Sequence, residues 1–225
     1  MITTPEVHLL AHTTTTDEAN QILDRHTDTT DAEHLTTLAG RACYQSFHRP
    51  SPATHDDADY ITKTVHGSGH WSIVEHASAT VYITGVSRAF THELIRHRHL
   101  SYSQLSQRFV NEEEANIVRP PAIECGAEIS ALENVAETAF QEYELIVNSL
   151  TDDHNLPRKQ AREAARAVLP NMTETRIVVT GNLRAWKEVI DRRTQPDADA
   201  EMREVMRLVQ ETLTPLAPTI FQEDR

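Results

Sequence analysis

The chain has 225 residues, enough for one large domain or two small ones at roughly 150 residues per domain. With 21 basic and 34 acidic residues its net charge is −13, which disfavours generic binding to nucleic acid or anionic lipid. No apolar run approaches the roughly 20 residues of a membrane span, no basic region precedes an apolar stretch near the start, and two cysteines, Cys43 and Cys125, cannot make a disulfide framework, so a reducing cytoplasm is expected.

Taken in chain order, residues 6–11 read as a short strand. Residues 31–45 read as a helix with Leu35, Leu38, Ala42 and Cys43 near one face, and 56–66 as another, stopped by Gly67 and Gly69. The alternating, β-branched run 79–86 predicts a strand. Helical spacing returns over 87–99, and the Ser-, Gln- and Tyr-rich stretch 100–109 reads as a loop or frayed helix end. Beyond Pro120-Pro121, apolar residues from Leu132 through Val135 and Tyr143 to Leu150 recur every three or four positions, the mark of a long amphipathic helix. A helix over 158–168 closed by Pro170, an apolar strand over 176–181, a helix over 182–193 burying Leu183, Trp186 and Ile190, and a last helix carrying Met202, Val205, Met206, Val209 and Leu213 complete the chain. This mixed order predicts a single-domain α+β fold over 1–225, with a central, mostly antiparallel sheet flanked by helices and a long helical segment in the C-terminal half. Neither GxGxxG nor GxxxxGK[ST] occurs, which argues against Rossmann and P-loop nucleotide sites.

Eighteen of the 21 basic residues are Arg. Genomic base composition accounts for such an excess, and so does planar, bidentate recognition of anions, which Arg does better than Lys. Position along the chain decides. From Leu94 to Val110 there is no acid, in a chain that is −13 overall. The stretch holds Arg96, Arg98 and Arg108, His97 and His99, and Ser101, Ser103, Gln104, Ser106 and Gln107. Guanidinium forks for charge, with hydroxyls and amides for shape, suit a phosphate and a uracil-like edge. A solvated helix face would interleave Glu with Arg, and this one does not. Lys159, Arg162 and Arg166 share one helix face, and Arg192-Arg193 ends the helix begun at Asn182, where a cation also suits the helix dipole.

The segment Arg96-His97-Arg98-His99-Leu100-Ser101-Tyr102-Ser103-Gln104-Leu105-Ser106-Gln107-Arg108 matches RHRxxSxxxxSxR, the signature of the flavin-dependent thymidylate synthases. GHWSIVEHAS (69–78), KQAREAARAVLPNMTETRIVVTGNLRAW (159–186) and RACYQS (41–46) extend the resemblance over roughly residues 6–220. It implies reductive methylation of dUMP to dTMP, with methylenetetrahydrofolate as carbon donor and FAD, reduced by NADPH, as hydride source, in a homotetramer with shared active sites. By the same resemblance Ser72, Arg96, His97, Arg98, Gln104, Asn182, Leu183, Arg184 and position 188 meet FAD. Glu93, Leu94, Ile95, Arg96, Gln104, Leu105, Ser106, Gln107, Arg108 and Arg166 bind dUMP, and Arg193 binds and activates its uracil. His70 to His76 would form a flavin-contacting strand and turn. The chain departs from the family at Glu188, where His or Asn is usual, and at Ser103, where Asn is frequent. A carboxylate beside a reduced flavin calls for a partner, and Lys187 and Arg192 are within reach in sequence.

The residues agree with this chemistry. A permanent cation beside uracil stabilises the anion that forms when carbon 5 is made nucleophilic. Cys43 and Cys125 lack an activating context and read as small buried hydrophobes. Two other readings compete: a metal site from His66, His70, Glu75 and His76, which Gly67 and Gly69 disfavour, and a nucleic-acid module over Arg88–Arg108, which the net charge disfavours.

Overall fold

The computed structural model describes residues 1–25 and 28–222, so positions 26, 27 and 223–225 of the expected 1–225 domain lie outside the described residues. In chain order the elements are β1 (Ile2–Thr3), β2 (Glu6–His12), α1 (Asp17–Ile22), α2 (Asp31–Tyr44), α3 (Asp57–Ile61), β3 (Ser78–Ser87), α4 (Arg88–Leu94), β4 (Ser101–Gln104), β5 (Ile117–Val118), α5 (Ala127–Asp152), α6 (Arg158–Ala165), β6 (Glu174–Asn182), α7 (Leu183–Arg193) and α8 (Ala200–Leu213). The fold is α+β. A four-stranded antiparallel sheet in the order β2-β3-β6-β4 is flanked by helices, and β1 pairs in parallel with β5 beside it.

The two central strands are β-branched and buried on one face, as period-two alternation requires. Ala79, Val81 and Ile83 of β3 and Ile177 and Val179 of β6 are buried. They pack with Leu183, Trp186 and Ile190 of α7 and Met202, Val205, Met206, Val209 and Leu213 of α8. The indole N–H of Trp186 donates to the Ala79 carbonyl at 3.1 Å, so the largest core side chain leaves no polar atom unpaired. The register between β3 and β6 shifts between Ile83 and Val86, and Gly85 sits there at φ +66°. A Cβ on Gly85 would stand 1.9 Å from the Thr4 carbonyl oxygen, so only glycine lets the chain cross at this point.

Several expectations change. Helix α4 stops at Leu94 and does not reach residue 99, and Ser101–Gln104 form an edge strand paired with β6 from Ser101↔Thr180 to Gln104↔Ile177. This pairing partner is more than 70 residues away, so local polarity disguised it as a loop. The 70–76 stretch is a 3-10 turn from Trp71 to His76, with β3 starting only at Ser78. Both cysteines are exposed. Val135 of α5 is also exposed, and the buried part of that helix narrows to Ala136, Tyr143 and Val147, the last two packing on Ala161 and Ala165 of α6.

Helix α2 buries an unexpected face. Leu35 and Leu38 are only half-buried, whereas Glu33, His34, Thr36, Thr37, Gly40 and Arg41 lie inside. The reason is a polar network. His34 Nδ1 donates to Asp57 Oδ2 at 3.3 Å, and Arg49 pairs with Asp57 Oδ1 at 2.8 Å. The Arg41 guanidinium lies 4.5 Å from the Tyr60 ring centroid and donates to the Ser46 and Thr54 carbonyls. Glu33 accepts the Thr219 backbone N–H at 2.6 Å, tying the end of the chain to α2.

Candidate functional site

Arg193 is the hub of the site. It is the last residue of α7, which starts where Asn182 accepts the Ala185 N–H at 2.8 Å and caps the helix. That helix is held by Leu183, Trp186 and Ile190 in the core, so its C-terminal end has a fixed place. There the Arg193 Nε–H donates to His97 Nε2 at 2.9 Å, and its NH1 donates to Glu93 Oε2 at 3.0 Å. The Arg193 side chain is 20% exposed, so the cation is largely shielded yet open on one side. Residues 93 and 193 are thus joined across 100 positions of sequence.

The turn after α4 is built to present the 96–99 stretch outward. The Tyr102 hydroxyl lies 2.8 Å from the Leu94 carbonyl and 2.6 Å from the His97 carbonyl, donating across both from the edge strand. Burial pushes this phenol up to about 12, so it stays protonated and able to donate. Leu94 and Leu100 are buried on either side, which leaves Arg96, Arg98 and His99 exposed. Gly181 of β6 passes so close that a Cβ there would lie 2.2 Å from Leu100 Cδ2; this close approach seats the 96–100 turn beside the start of α7.

Between the 96–99 turn and one side of α7 the surface opens into two adjoining hollows, reached from Arg193 through its partner His97. One, of about 170 Å³, is lined by Arg96, His97, Arg98, His99, Val189, Glu188 and Arg192 among others. The second, of about 250 Å³, is lined by Glu75, His99, Asn182, Arg184, Ala185 and Glu188. Arg184 pairs there with Glu75 of the 3-10 turn, a partner the sequence did not point to. Of the two sequence candidates for Glu188, Arg192 is the partner, at 3.1 Å, while Lys187 turns to Asp191 at 2.6 Å. Glu188 therefore does not confront the hollow as a bare carboxylate.

A second cationic group lies on α6. Arg162 donates to the Phe109 carbonyl at 2.6 Å, and Lys159 stands 5.0 Å from the Phe109 ring centroid, which fixes the 106–110 turn to this helix. Arg108 comes within 3.4 Å of Glu163, and Arg166, exposed in the 3-10 turn after α6, has its guanidinium near Arg88. Burial, with Arg166 adding to it, holds the Arg88 guanidinium below its ordinary value. Nearby, burial pushes the Glu112 carboxyl up to about 7. Among the described residues no hydrogen bond or ion pair links this group to Arg193, His97 and Glu93.

The expected site residues thus divide. Arg96, His97, Arg98, Asn182, Arg184 and Glu188 line the two hollows, and Glu93 and Arg193 meet His97 at the end of α7. Arg108 and Arg166 sit with the α6 group. Leu94 and Leu183 are buried in the core, backbone included: the Leu94 carbonyl accepts the Tyr102 hydroxyl and the Leu183 N–H donates to the Ala77 carbonyl. Asn182 has its carbonyl oxygen in the α7 cap, and the Gln104 amide donates to Thr91 at 3.0 Å and Thr175 at 3.2 Å. Gln107 is buried, Leu105 and Ser106 are half-buried, and Ile95 and Ser72 are exposed. Sequence reasoning missed the pairing of Glu75 with Arg184 and the role of Tyr102. A tyrosine within an otherwise polar, acid-free run was the available signal for the second. For the former metal candidates, no cluster of three or more His, Cys, Asp or Glu able to hold an ion is found among the described residues. His66 instead meets the Thr219 carbonyl at 2.8 Å and the edge of Trp71.

This α+β fold sets a shielded arginine against a histidine of a cationic turn that carries no acid from Leu94 to Val110, an arrangement able to hold an anionic, planar ligand. The profile of the family described as thymidylate synthase complementing protein matches residues 25–219. The flavin-dependent thymidylate synthase of Mycobacteroides abscessus is 50% identical over 206 residues, covering 88% of this chain and 82% of its own, and that of Corynebacterium diphtheriae is 48% identical over 201 residues, covering 86% and 79%. The chain belongs to the flavin-dependent thymidylate synthase family. Its fold matches that of thymidylate synthase X from Helicobacter pylori, solved with FAD and dUMP, at a TM-score of 0.70 and 20% identity over 96% of this chain and 97% of the other. It also matches a UMP/dUMP methylase, PolB from Streptomyces cacaoi, at a TM-score of 0.72 and 21% identity over 97% and 93%. No helix of the described residues is long and apolar enough to cross a membrane.

Proposed function

We propose that this enzyme converts dUMP to dTMP for dTTP synthesis in the cytoplasm, taking the carbon from methylenetetrahydrofolate and the hydride from FAD reduced by NADPH. The observation that carries the reading is the contact of Arg193 with His97 and Glu93, which fixes a permanent planar cation against the acid-free motif. Arg193 holds the uracil edge and lowers the cost of negative charge on the ring as carbon 5 becomes nucleophilic. Glu93, Leu94, Ile95, Arg96, and the run Gln104-Leu105-Ser106-Gln107-Arg108 line the nucleotide, and Arg108 and Arg166 take its phosphate.

The residues present fit FAD. Exposed Arg96 and Arg98 supply charge for a diphosphate, and the two carboxylates lining the hollows, Glu188 and Glu75, are already paired with Arg192 and Arg184. Ser72, His97, Leu183, the amide nitrogen of Asn182, which the α7 cap does not use, and Gln104 would complete its contacts. When bound, FAD supplies the hydride that reduces the transferred carbon to a methyl group. The two hollows, about 170 and 250 Å³, adjoin at His99, Ala185 and Glu188, together reach only the lower part of the roughly 300–1,000 Å³ of complete small-molecule sites, and include neither Arg108 nor Arg166. This supports a site completed by further copies of the chain, with the homotetramer as the assembly the family resemblance implies. The separation of the α6 group from Arg193 supports the same reading, with Arg166 serving the site of a neighbouring protomer.

The test is a spectrum and a mass. Purified protein is expected to be yellow, to release FAD on denaturation, to bleach anaerobically with NADPH, and to scatter light as four copies of the 25.4 kDa chain. A colourless preparation that takes up no added FAD would overturn the reading. Arg166→Ala is expected to weaken dUMP binding about tenfold or more while FAD stays bound, as loss of a charge-assisted phosphate contact would do. Unchanged dUMP affinity removes Arg166 from the site.

A further inference from the structure

Every guanidinium nitrogen of Arg193 is a donor and none can accept. Its Nε–H points at His97 Nε2 at 2.9 Å, so that ring nitrogen must offer a lone pair. The His97 proton therefore resides on Nδ1, and the ring is neutral. A protonated His97 would set an N–H against an N–H and a second positive charge against the first. We propose that neutral His97, in the Nδ1–H tautomer, is a positioning residue for Arg193: with His97 on Nε and Glu93 on Nη1, the guanidinium is held in place and its Nη2 amino group is left for a uracil.

The surroundings favour this state. Burial is the chief influence holding His97 below its ordinary value, and Arg193, Arg192 and Arg96 act in the same direction, while Glu188 opposes them. Glu93 faces Arg193 from α4, and Glu188 is itself engaged by Arg192. On the backbone side the Tyr102 hydroxyl donates to the His97 carbonyl, which fixes the ring's point of attachment. The 3.0 Å contact to Glu93 and the 2.9 Å contact to His97 together define the plane of the guanidinium, which one acceptor alone would leave free to swing.

The sign of the pH effect follows. His97 binds its second proton only below the ordinary histidine value of about 6.5. As pH falls through that lower value the acceptor is lost, Arg193 is repelled, and uracil activation fails. Turnover at saturating dUMP and FAD should therefore show an acid limb set by His97, with a smaller change in KM for dUMP than in kcat. The same lowered value makes the folded state lose stability as pH falls below about 6.5, because the unfolded chain then binds a proton that the folded chain does not.

This inference rests on the proposed role of Arg193, and the experiment separates the two. Nitrogen NMR of the full-length, histidine-labelled protein is expected to show His97 Nε2 unprotonated and Nδ1 protonated at neutral pH, with titration below the ordinary value. His97→Ala should lower kcat per bound flavin about tenfold or more, and His97→Gln, whose side-chain oxygen accepts but does not titrate, should recover part of that loss and abolish the acid limb. An Nε2–H tautomer, titration at or above 6.5, or a His97→Gln profile that keeps the same acid limb would each overturn the proposal. If the wild-type protein makes no dTMP, the functional reading fails while the NMR result still judges the contact.

Discussion

Replacing Arg193 by lysine is expected to leave a folded protein that binds FAD and has lost most dTMP formation, by roughly a hundredfold to a thousandfold, or about 3–4 kcal/mol of transition-state stabilisation. Lysine keeps a charge at the end of α7 but not the fork that donates at once to His97 Nε2 and Glu93 Oε2. A pure helix-dipole role is worth only about 0.3–1 kcal/mol and would show in melting, not in turnover. Arg192→Lys is the control. Arg192 is exposed, its partner Glu188 is one helical turn back, and a lysine can replace that pair, so turnover should stay close to wild type. Normal turnover by Arg193→Lys with unchanged melting would remove the residue from the chemistry. Equal loss of stability in both variants, with full activity per folded molecule, would leave it only the capping role.

Asp57→Ala should be among the most destabilising single changes in the chain, costing about 3–5 kcal/mol in denaturant unfolding. It would strand the buried guanidinium of Arg49 and the buried ring of His34, which hold Asp57 at 2.8 and 3.3 Å. A loss below about 1 kcal/mol would mean that water or another group takes over the Arg49 charge. The pH dependence has a defined sign. Burial pushes the Asp57 carboxyl up, but the hydrogen bonds of His34 and Arg49 outweigh it and hold it below the ordinary range. Its contribution is therefore complete above the unfolded value of about 3.9 and is lost as pH falls through the lower folded value. Asp57→Ala should flatten that part of the acid unfolding curve.

The strands, helices and site reached legibility to different degrees. The strand over 79–86 and the helices ending in Arg193 and Leu213 were legible because their partners bury one continuous apolar face, and such a face leaves a period in the sequence. Strand β4 was not, since Ser101–Gln104 sit at a sheet edge and owe their conformation to backbone pairing with Thr180 to Ile177. The inner face of α2 was misread for the opposite reason. Its buried side chains are charged and pay no heed to hydrophobic periodicity, because Asp57, Ser46, Thr54 and Thr219 answer them from elsewhere in the chain.

By itself the sequence determined the class of chemistry: a run of arginines, serines and glutamines without an acid, matched to a long and rare motif, names the family from residue types alone, since charge and hydrogen-bonding capacity belong to the side chain wherever it lies. Only the tertiary structure decided which of these groups act together. It joined Arg193 to His97 and Glu93, gave Glu188 to Arg192 and Arg184 to Glu75, and turned Leu94 and Leu183 into the core. These are contacts of a few ångströms between residues up to 109 positions apart, and direction and distance on that scale are properties of packing, not of composition.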